Sequence, residues 1–296
     1  MVFSRARSQA LGAELRRWRV RANLTSRELG QRLNWSHTKI SLLESGQRTV
    51  SKIDAARFLA ACRADGAKTD ELLDFFRTHD GYWLESHDVC IPDKLIALVA
   101  LETTARVIRD FELSVVPGLL QTEDYIRALF RDAGLVREHE IDSLVRARKE
   151  RQTLLRRERP PHCQFFIHEG ALRMCVGDSA IMNDQLLHLV FLADRPHIDI
   201  RVIVDTGTPH PGLVGPFRFM EYDRQRPVVY LDHPVASLFL DTPDVIHRYE
   251  RIVHRLEDAA LDARQSRAWL AELAGDYDRP REDTDDRREG TTLAQE

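Results

Sequence analysis

The sequence contains 296 residues, 43% hydrophobic and 30% charged, which excludes a disordered or fibrous polymer and is typical of a globular protein with two domains. No apolar stretch reaches the length of a bilayer span, and no apolar signal-peptide segment follows the basic start. The four cysteines form no CxxC or Cys/His cluster, so we expect a cytoplasmic protein with reduced thiols, no metal site and no membrane contact.

The charge is distributed unevenly along the chain. Residues 1–64 contain 13 lysines and arginines against 4 acidic residues, whereas the remainder contains 30 basic and 43 acidic residues. A basic N-terminal region predicts a polyanionic partner, because neutralisation of phosphates supplies much of the affinity for nucleic acid. Charge alone leaves DNA, RNA and anionic lipid open as that partner.

The N-terminal region is predicted to consist of short helices. A one-sided apolar stripe predicts a first helix that ends near Asn23, and Thr25 with Glu28 has the spacing of a capping box that opens a second. A fifth helix is predicted over Thr69–Phe76. Residues 5–78 are therefore assigned to an all-α domain of five helices.

The segment from Ser26 to Glu44 carries the pattern of a helix-turn-helix. Gly30 occurs where the two helices approach each other most closely, and Asn34 occupies the turn position that requires a residue comfortable at positive φ. Apolar side chains occupy the positions that two steeply crossing helices share as a core, namely Leu29, Leu33, Trp35, Ile40 and Leu43. Spacing, size and turn requirement agree, so the sequence predicts this motif.

The second helix of the motif is expected to enter the major groove. His37, Thr38 and Ser41 lie on its exposed face and carry short or planar hydrogen-bonding groups that can reach base edges. The alternative for each of them is a solvated surface residue. We predict double-stranded DNA as the partner of this face.

Four further residues are predicted to support DNA contact. Ser36 caps the second helix, and Lys39 occupies the place where a glutamate would complete a capping box, which puts a cation near the helix N-terminus and beside phosphate. Ser26 and Arg48 are placed to hold the DNA backbone. Glu44 is predicted to be structural and to bond backbone groups near the Gly46 turn.

The run Ile40-Ser41-x-x-Glu44-x-Gly46 matches the end of the recognition helix in the Xre/lambda-repressor-like helix-turn-helix family. The sequence closely resembles that family over about residues 8–77. The resemblance implies a five-helix domain that binds operator DNA, usually as a dimer. Trp35 departs from the smaller aliphatic residue common in the family, which leaves the angle of the recognition helix open.

The rest of the chain alternates helices with strand candidates. Residues 79–94 are predicted to be a connection, 95–277 an α+β domain with a mostly antiparallel sheet, called the body below, and 278–296 a disordered tail. Helices are predicted at about residues 95–109, 122–132, 138–157, 179–193 and 243–260 and after Asp262. Strands are predicted at residues 164–167, 198–204, 216–222, 228–232 and 237–240.

Enzyme motifs are missing from the body sequence. It contains no GxSxG elbow, Walker loop, GxGxxG after a strand or HExxH, and His168-Glu169 is a more natural hydrogen-bonded pair than a metal site. We expect no catalytic residue, no cofactor and no metal ligand. The basic helix over Glu138–Arg159 is interspersed with acids such as Glu150 and Glu158, which predicts a salt-bridged exposed face; a partner surface or a second DNA contact is the alternative.

A second resemblance covers about residues 95–272. The run Val116-Pro117-Gly118-Leu119-Leu120-Gln121-Thr122-x-x-Tyr125 is its most specific part. It occurs in order with Leu101-Glu102-x-x-Ala105, Arg148-x-x-Arg151-Gln152, Glu169-x-x-Leu172, Gln185-Leu186, Arg201-Val202 and Gly215-Pro216-Phe217. This order resembles the C-terminal domain of WhiJ-like regulators of actinomycetes, which implies an antitoxin-type or developmental regulator that works with a small partner protein often encoded beside it.

Together these patterns predict a DNA-binding transcriptional regulator, either a repressor or an antitoxin-like protein. We expect a homodimer whose contacts come from the body, since two joined helix-turn-helix units read two half-sites. The alternatives are a ligand-sensing regulator, an enzyme with a fused helix-turn-helix, and a scaffold whose main task is to hold a partner.

Overall fold

A computed structural model of the protein describes most of the N-terminal domain and of the body. The described residues are 5–48, 50–64, 82–86, 96–134, 136–207, 209, 211–223, 225–233 and 236–278. The predicted fifth helix over Thr69–Phe76 and the predicted tail after Asp278 lie outside these ranges. Every helix within them is too short or too polar to cross a bilayer.

The described part of the N-terminal domain is helical. Its helices are α1 (Arg5–Arg21), α2 (Ser26–Leu33), α3 (His37–Glu44) and α4 (Lys52–Ala61). They share one core of buried apolar side chains, among them Leu15, Leu29, Ile40, Leu43 and Phe58. Leu29, Ile40 and Leu43 are core positions that the helix-turn-helix pattern predicts, and their burial confirms it.

The body surrounds a sheet with helices. The strands are β1 (Tyr82–Ser86), β2 (Val107–Glu112), β3 (His162–His168), β4 (Ile198–Ile203), β5 (Phe217–Glu221), β6 (Val228–His233) and β7 (Ala236–Leu240). The helices are α5 (Ile96–Thr104), α6 (Glu123–Ala133), α7 (Glu138–Gln152), α8 (Glu169–Arg173), α9 (Ser179–Leu192), α10 (Pro243–Ala259) and α11 (Ala263–Asp278). Short 3-10 helices occupy Thr153–Arg156 and Pro211–Val214.

The seven strands are arranged in the order β1-β7-β6-β5-β2-β3-β4. β2, β3 and β4 run parallel to one another, with helices in the connections between them. Every other neighbouring pair is antiparallel. The predicted fold class, a helical N-terminal domain followed by an α+β domain with a mostly antiparallel sheet, is therefore confirmed.

Both faces of the sheet are covered. One face carries Ile108, Phe165 and Ile200 into the largest apolar core, to which α5, α6, α9 and α11 also contribute. The opposite face carries Phe111, Phe166 and Phe219 into a smaller core closed by α10. Alternate residues of β2 enter the two cores, as the two-residue period of a strand requires.

The predicted helix over residues 95–109 is wrong in its second half. Helix α5 ends at Thr104, and Val107–Glu112 forms β2 between β5 and β3 in the sheet. The strand carries Arg109 and Asp110 side by side between apolar residues, and their charges are neutralised by residues distant in sequence. The local sequence shows these two charged residues but not the distant residues that pair with them. A buried strand is therefore not predicted from the local sequence.

The predicted connection over residues 79–94 also contains regular structure. Tyr82–Ser86 pairs antiparallel with β7, with Tyr82 opposite Leu240 and Ser86 opposite Ala236. The partner strand lies some 150 residues further along the chain. A strand that pairs only at such a distance has no hairpin turn beside it to reveal it.

The N-terminal domain and the body meet along α1 and α5, which pack against each other. Ala10 of α1 is 3% exposed and belongs to the large core of the body. Beside it, Gln225 Nε2, in the turn between β5 and β6, donates a hydrogen bond to Gln9 Oε1 at 3.2 Å. Helix α1 thus belongs to both domains.

Candidate nucleic-acid interface

Local hydrogen bonds fix the start of α2 and of α3. Thr25 Oγ1 accepts from the backbone N–H of Glu28 at 3.2 Å, and Glu28 Oε2 accepts from the backbone N–H of Thr25 at 2.7 Å, which confirms the predicted capping box. Ser36 Oγ accepts from the backbone N–H of Lys39 at 3.1 Å, as its predicted capping role requires. Asn34 has φ 55°, the left-handed conformation that the turn needs.

Glycines set the distances between these helices. A Cβ on Gly30 would lie 2.7 Å from the carbonyl oxygen of Trp35, so the close approach predicted at Gly30 is confirmed. A Cβ on Gly12 of α1 would lie 2.4 Å from the carbonyl oxygen of Leu43 near the end of α3. The sequence pattern of the α2–α3 pair does not include Gly12, because this contact joins α3 to a helix outside that pair.

The predicted base-reading residues share one exposed surface. His37, Thr38 and Ser41 are all exposed on α3, while Ile40 and Leu43 on its other side are fully buried. A recognition helix needs this division, because its apolar face packs on the domain core while its polar face stays free to contact base edges.

An open cleft lies between the N-terminal ends of α2 and α3. It is lined by Arg19, Thr25, Ser26, Arg27 and His37. The structure therefore brings together Ser26 and His37, two predicted site residues, and adds the exposed Arg27, which sequence reasoning missed. Arg27 follows Ser26 in the first turn of α2, and this position could have predicted that Arg27 belongs to the site. Both helix N-termini contribute partial positive charge to this cleft.

Arg48 and Ser36 lie on either side of the recognition helix. Ser36 is exposed at its N-terminal end, and Arg48 is exposed beyond its C-terminal end. The backbone N–H of Arg48 donates to the carbonyl oxygen of Leu42 at 3.0 Å, which ties the following loop to α3. The Arg48 guanidinium makes no ion pair with a described residue, so it is available to a phosphate.

Lys39 does not have the free ammonium that the sequence suggests. Its Nζ lies 3.1 Å from Asp54 Oδ2 and 3.5 Å from the centre of the Trp35 ring. The Arg57 guanidinium lies 5.3 Å from the same ring. Lys39 therefore joins α3 to α4 in the free protein. Trp35 occupies a position where a small aliphatic residue is common, and its ring contacts both cations.

Glu44 is structural, but its partner differs from the prediction. Arg19 Nε and Nη2 donate to its two carboxylate oxygens at 2.6 and 2.8 Å, and Arg19 Nη1 donates to the carbonyl oxygen of Leu24 at 2.8 Å. The predicted bonds to backbone near Gly46 are replaced by this bidentate pair. It links the end of the recognition helix to α1. The side-chain hydrogen bond to Glu44 raises the pKa of Arg19 above its ordinary value, although burial of the guanidinium acts in the opposite direction.

The motif residues of the body form a buried polar network. Arg151 Nε and Nη2 donate to the two carboxylate oxygens of Glu102 at 2.8 and 3.0 Å. Arg218 of β5 pairs with both Glu102 and Asp110, and all three side chains are buried. Charges in such a place persist because each one is paired. Sequence reasoning treated Glu102 and Arg151 only as parts of a resemblance and missed Asp110 and Arg218.

Amides extend the network around the Pro117–Thr122 turn. Arg148 Nη1 donates to Gln121 Oε1 at 2.6 Å, and Gln152 Nε2 donates to the carbonyl oxygens of Gly118 and Gln121 at 3.0 and 2.9 Å. Gln185 of α9 accepts from the backbone N–H of Thr122 at 2.7 Å. The glutamines thus satisfy the backbone of a buried turn, which explains their presence in apolar surroundings.

The predicted salt-bridged face is present only at the start of the basic helix, where Glu138, Glu140 and Asp142 pair with Arg131, Arg137 and Arg127. Arg148 and Arg151 point inward to the network, and among the described residues neither Glu150 nor Glu158 forms an ion pair.

His168 and Glu169 form a strand-end arrangement of local hydrogen bonds. His168 Nδ1 accepts from the backbone N–H of Gly170 at 3.0 Å, and Glu169 Oε2 accepts from the backbone N–H of Asp205 at 2.9 Å. Within the described residues, no group of three or more His, Cys, Asp or Glu side chains could hold a metal ion.

Comparisons with known proteins agree with this division of the chain. No curated protein matches the sequence. A solved structure of TrmBL2, an archaeal chromatin protein with a novel mode of DNA binding, is similar at 10% identity over 81% of this chain and 88% of that chain, but its TM-score of 0.30 carries no argument. A helix-turn-helix domain family matches residues 10–72, and the domain of unknown function DUF5753 matches residues 95–272. Because that second match covers more than half of the chain, the protein belongs to the DUF5753 family, with a helix-turn-helix domain on the N-terminal side of the DUF5753 domain.

Proposed function

We propose that the protein is a sequence-specific, Xre-type DNA-binding transcriptional regulator that acts as a repressor. The observation that carries the proposal is the exposed polar face of α3, formed by His37, Thr38 and Ser41 on a helix whose opposite side is buried. The basic charge of residues 1–64 supports it, since an excess of nine positive charges attracts a polyanion. The helix-turn-helix match supports the same module.

The proposed contacts divide into two kinds. His37, Thr38 and Ser41 read base edges, whereas Ser26 and Arg48 hold phosphates on either side of the groove. Ser36 holds the N-terminus of the recognition helix toward a phosphate. Lys39 is held by Asp54 and adds a phosphate contact only when that ion pair is broken.

The body has a regulatory role in this proposal. We place the protein with the WhiJ-like, antitoxin-like regulators, with a body that binds a small partner protein and supplies the contacts of a homodimer. The chain performs no catalysis of its own and works in the cytoplasm beside its DNA. Partner binding changes operator affinity, and operator changes partner affinity to the same extent.

Selection from random duplex DNA tests the DNA-binding proposal. The full chain should enrich one operator. Thr38→Ala and Ser41→Ala should then reduce the preference for that operator over mismatched duplex by about 1 to 3 kcal/mol for each lost base contact. Arg48→Ala is the matched control, because loss of a phosphate contact should weaken all sequences alike and lower the salt slope by about one unit. Enrichment of no sequence, or equal losses on every duplex for all three variants, would contradict the proposal.

A further inference from the structure

Helix α9 exposes two large apolar side chains one turn apart. Leu187 is 49% exposed and Phe191 is 64% exposed, whereas Leu186 and Leu189 on the other side of the same helix are fully buried. Helix α9 packs against α11 and contributes to the large core, so its inward face is already used. No other described side chain covers the outward pair, and contiguous exposed apolar side chains occur at interaction surfaces.

Three cations lie near His188, the residue that follows Leu187 in α9. Lys149 of α7, Arg156 of the following 3-10 helix and Arg195 after α9 act electrostatically on His188. Burial first, and then these three cations, lower the pKa of His188. Within the described part of the chain, none of the three cations forms an ion pair with a carboxylate. Arg195 is instead held by the carbonyl oxygen of Leu155 at 3.4 Å.

Acidic residues lie at the ends of the apolar pair. Asp184 is exposed one turn before Leu187, and Asp194 lies just after Phe191, where it pairs with Arg267. DNA and anionic lipid would each place phosphates against these carboxylates as well as against the cations. A protein segment can instead arrange its own charges to suit both, and its apolar side chains can cover Leu187 and Phe191.

We propose that the outward face of α9 is a docking surface for an acidic amphipathic segment of a partner protein. Carboxylates of that segment pair with Lys149, Arg156 and Arg195, and its apolar side chains cover Leu187 and Phe191. This inference rests on the partner protein of the proposed function. It adds the chemical character of the partner segment and the surface that the segment binds. None of these residues belongs to the helix-turn-helix domain, so DNA binding and docking can be varied separately.

A library of random peptides, displayed and selected against the full chain, tests this surface. Peptides enriched by the wild-type protein should have a net negative charge and at least one large apolar residue. Their affinity should fall about tenfold or more in Phe191→Ser and in Arg156→Glu, which corresponds to about 1.4 kcal/mol or more, and it should fall with added salt. Leu213→Ser and Arg255→Glu are matched controls, because Leu213 is 66% exposed and Arg255 is exposed on α10 across the sheet; both should bind as the wild type does.

Several outcomes would overturn the docking surface. Enriched peptides that are neutral or basic, or that bind both test variants as strongly as the wild type, would contradict it. If Phe191→Ser weakens binding to anionic vesicles or to nonspecific duplex DNA as much as it weakens peptide binding, the face would be assigned to a membrane or to DNA instead. Operator binding by the same variants, measured without peptide, separates the two proposals. If only the docking surface is wrong, operator binding should still be found. If the DNA-binding proposal is wrong, operator binding should be absent while peptide binding can remain.

Discussion

At the scale of single residues, Lys39 and Asp54 connect the recognition helix to the helix that follows it. Their ion pair, 3.1 Å long, is only partly exposed, and the ring of Trp35 lies against the same ammonium. In the proposed complex with DNA, the Asp54 carboxylate would compete with a phosphate for the Lys39 ammonium, so we expect this pair to influence nonspecific affinity.

We expect Asp54→Asn to release Lys39 toward DNA. Affinity for every duplex should rise, and the dependence of the logarithm of affinity on the logarithm of salt concentration should steepen by about 0.9, the value for one additional phosphate neutralised. Fluorescence anisotropy over a salt series measures the slope. The double variant with Lys39→Met is the control for simple removal of a negative charge and should restore the original slope. An unchanged slope in Asp54→Asn would show that Lys39 never reaches phosphate.

Glu112 is a half-buried carboxyl group at the end of β2. Its carboxylate makes no hydrogen bond or ion pair with the described part of the chain, and it faces Asp110 of its own strand, Arg218 of β5, Asp232 of β6 and Arg148 of α7. Burial, and then the negative charge of Asp110, raise the pKa of Glu112 to about 8. The folded protein therefore holds a proton on Glu112 that the unfolded chain releases at lower pH.

This proton makes stability depend on pH. Because the folded-state pKa lies above the ordinary value of 4.5, the free energy of unfolding should decrease as pH rises from about 4.5 to about 8, with a slope approaching about 1.4 kcal/mol per pH unit. Glu112→Gln should remove that slope and make the variant more stable than the wild type above pH 8. Urea denaturation at a series of pH values measures it, with Glu158→Gln as the exposed control. A constant difference between wild type and Glu112→Gln across the range would contradict this assignment.

At the scale of elements, Glu102 joins three parts of the body. It lies on α5 and pairs with Arg151 of α7 and Arg218 of β5, which in turn pairs with Asp110 of β2. The ion pairs hold two helices to the middle of the sheet. Removal of one member leaves the others buried without compensation.

We expect Glu102→Ala to lower the free energy of unfolding by about 3 to 5 kcal/mol, since two buried guanidinium groups lose their shared carboxylate. Glu138→Ala breaks the exposed pair with Arg131 and should cost at most about 1 kcal/mol, which makes it the matched control. Chemical denaturation of the full chain compares the two. A loss at Glu102 no larger than the loss at Glu138 would mean that the network contributes little to stability.

At the scale of the whole molecule, α1 connects the recognition helix to the body. A Cβ on Gly46, just after α3, would lie 2.4 Å from the Cα of Gln9, and the next residue, Ala10, is buried in the core of the body. The Gln9 side chain accepts from Gln225 of the body. One stretch of α1 therefore touches the end of α3 on one side and the body on the other, which gives a short physical path between the helix-turn-helix and the body.

This path predicts cooperative unfolding of the two domains. Calorimetry of the wild type should show a single transition, and Ala10→Asp should separate it into two, because a carboxylate at a position that is 3% exposed weakens the contact between α1 and α5. Val20→Asp, at a position on the same helix that is 57% exposed, should keep the single transition. Two transitions already present in the wild type would show that the domains are energetically independent.

The N-terminal domain could be predicted from sequence because its determinants are local. The capping box of Thr25 and Glu28, the turn residue Asn34 and the cap Ser36 each act within three or four positions of their partners. The candidate base-reading residues His37, Thr38 and Ser41 follow from the same helical periodicity, and the structure places them on one exposed surface. When all the interacting residues lie within a few positions of one another, the local sequence contains everything needed to predict the structure.

Tertiary structure decided the remaining features, since their partners lie far apart in the chain. Arg218 and Glu102 are 116 positions apart, Arg151 and Glu102 are 49 apart, and Arg19 and Glu44 are 25 apart. Whether an arginine on α7 faces solvent or a buried carboxylate, and whether Val107–Glu112 continues a helix or enters a sheet, depends on which distant residues the fold brings alongside. The sequence alone determined the helix-turn-helix and its polar face, whereas the fold alone decided the buried ion pairs, the central strand and the contact that joins the two domains, because those depend on neighbours that no local pattern specifies.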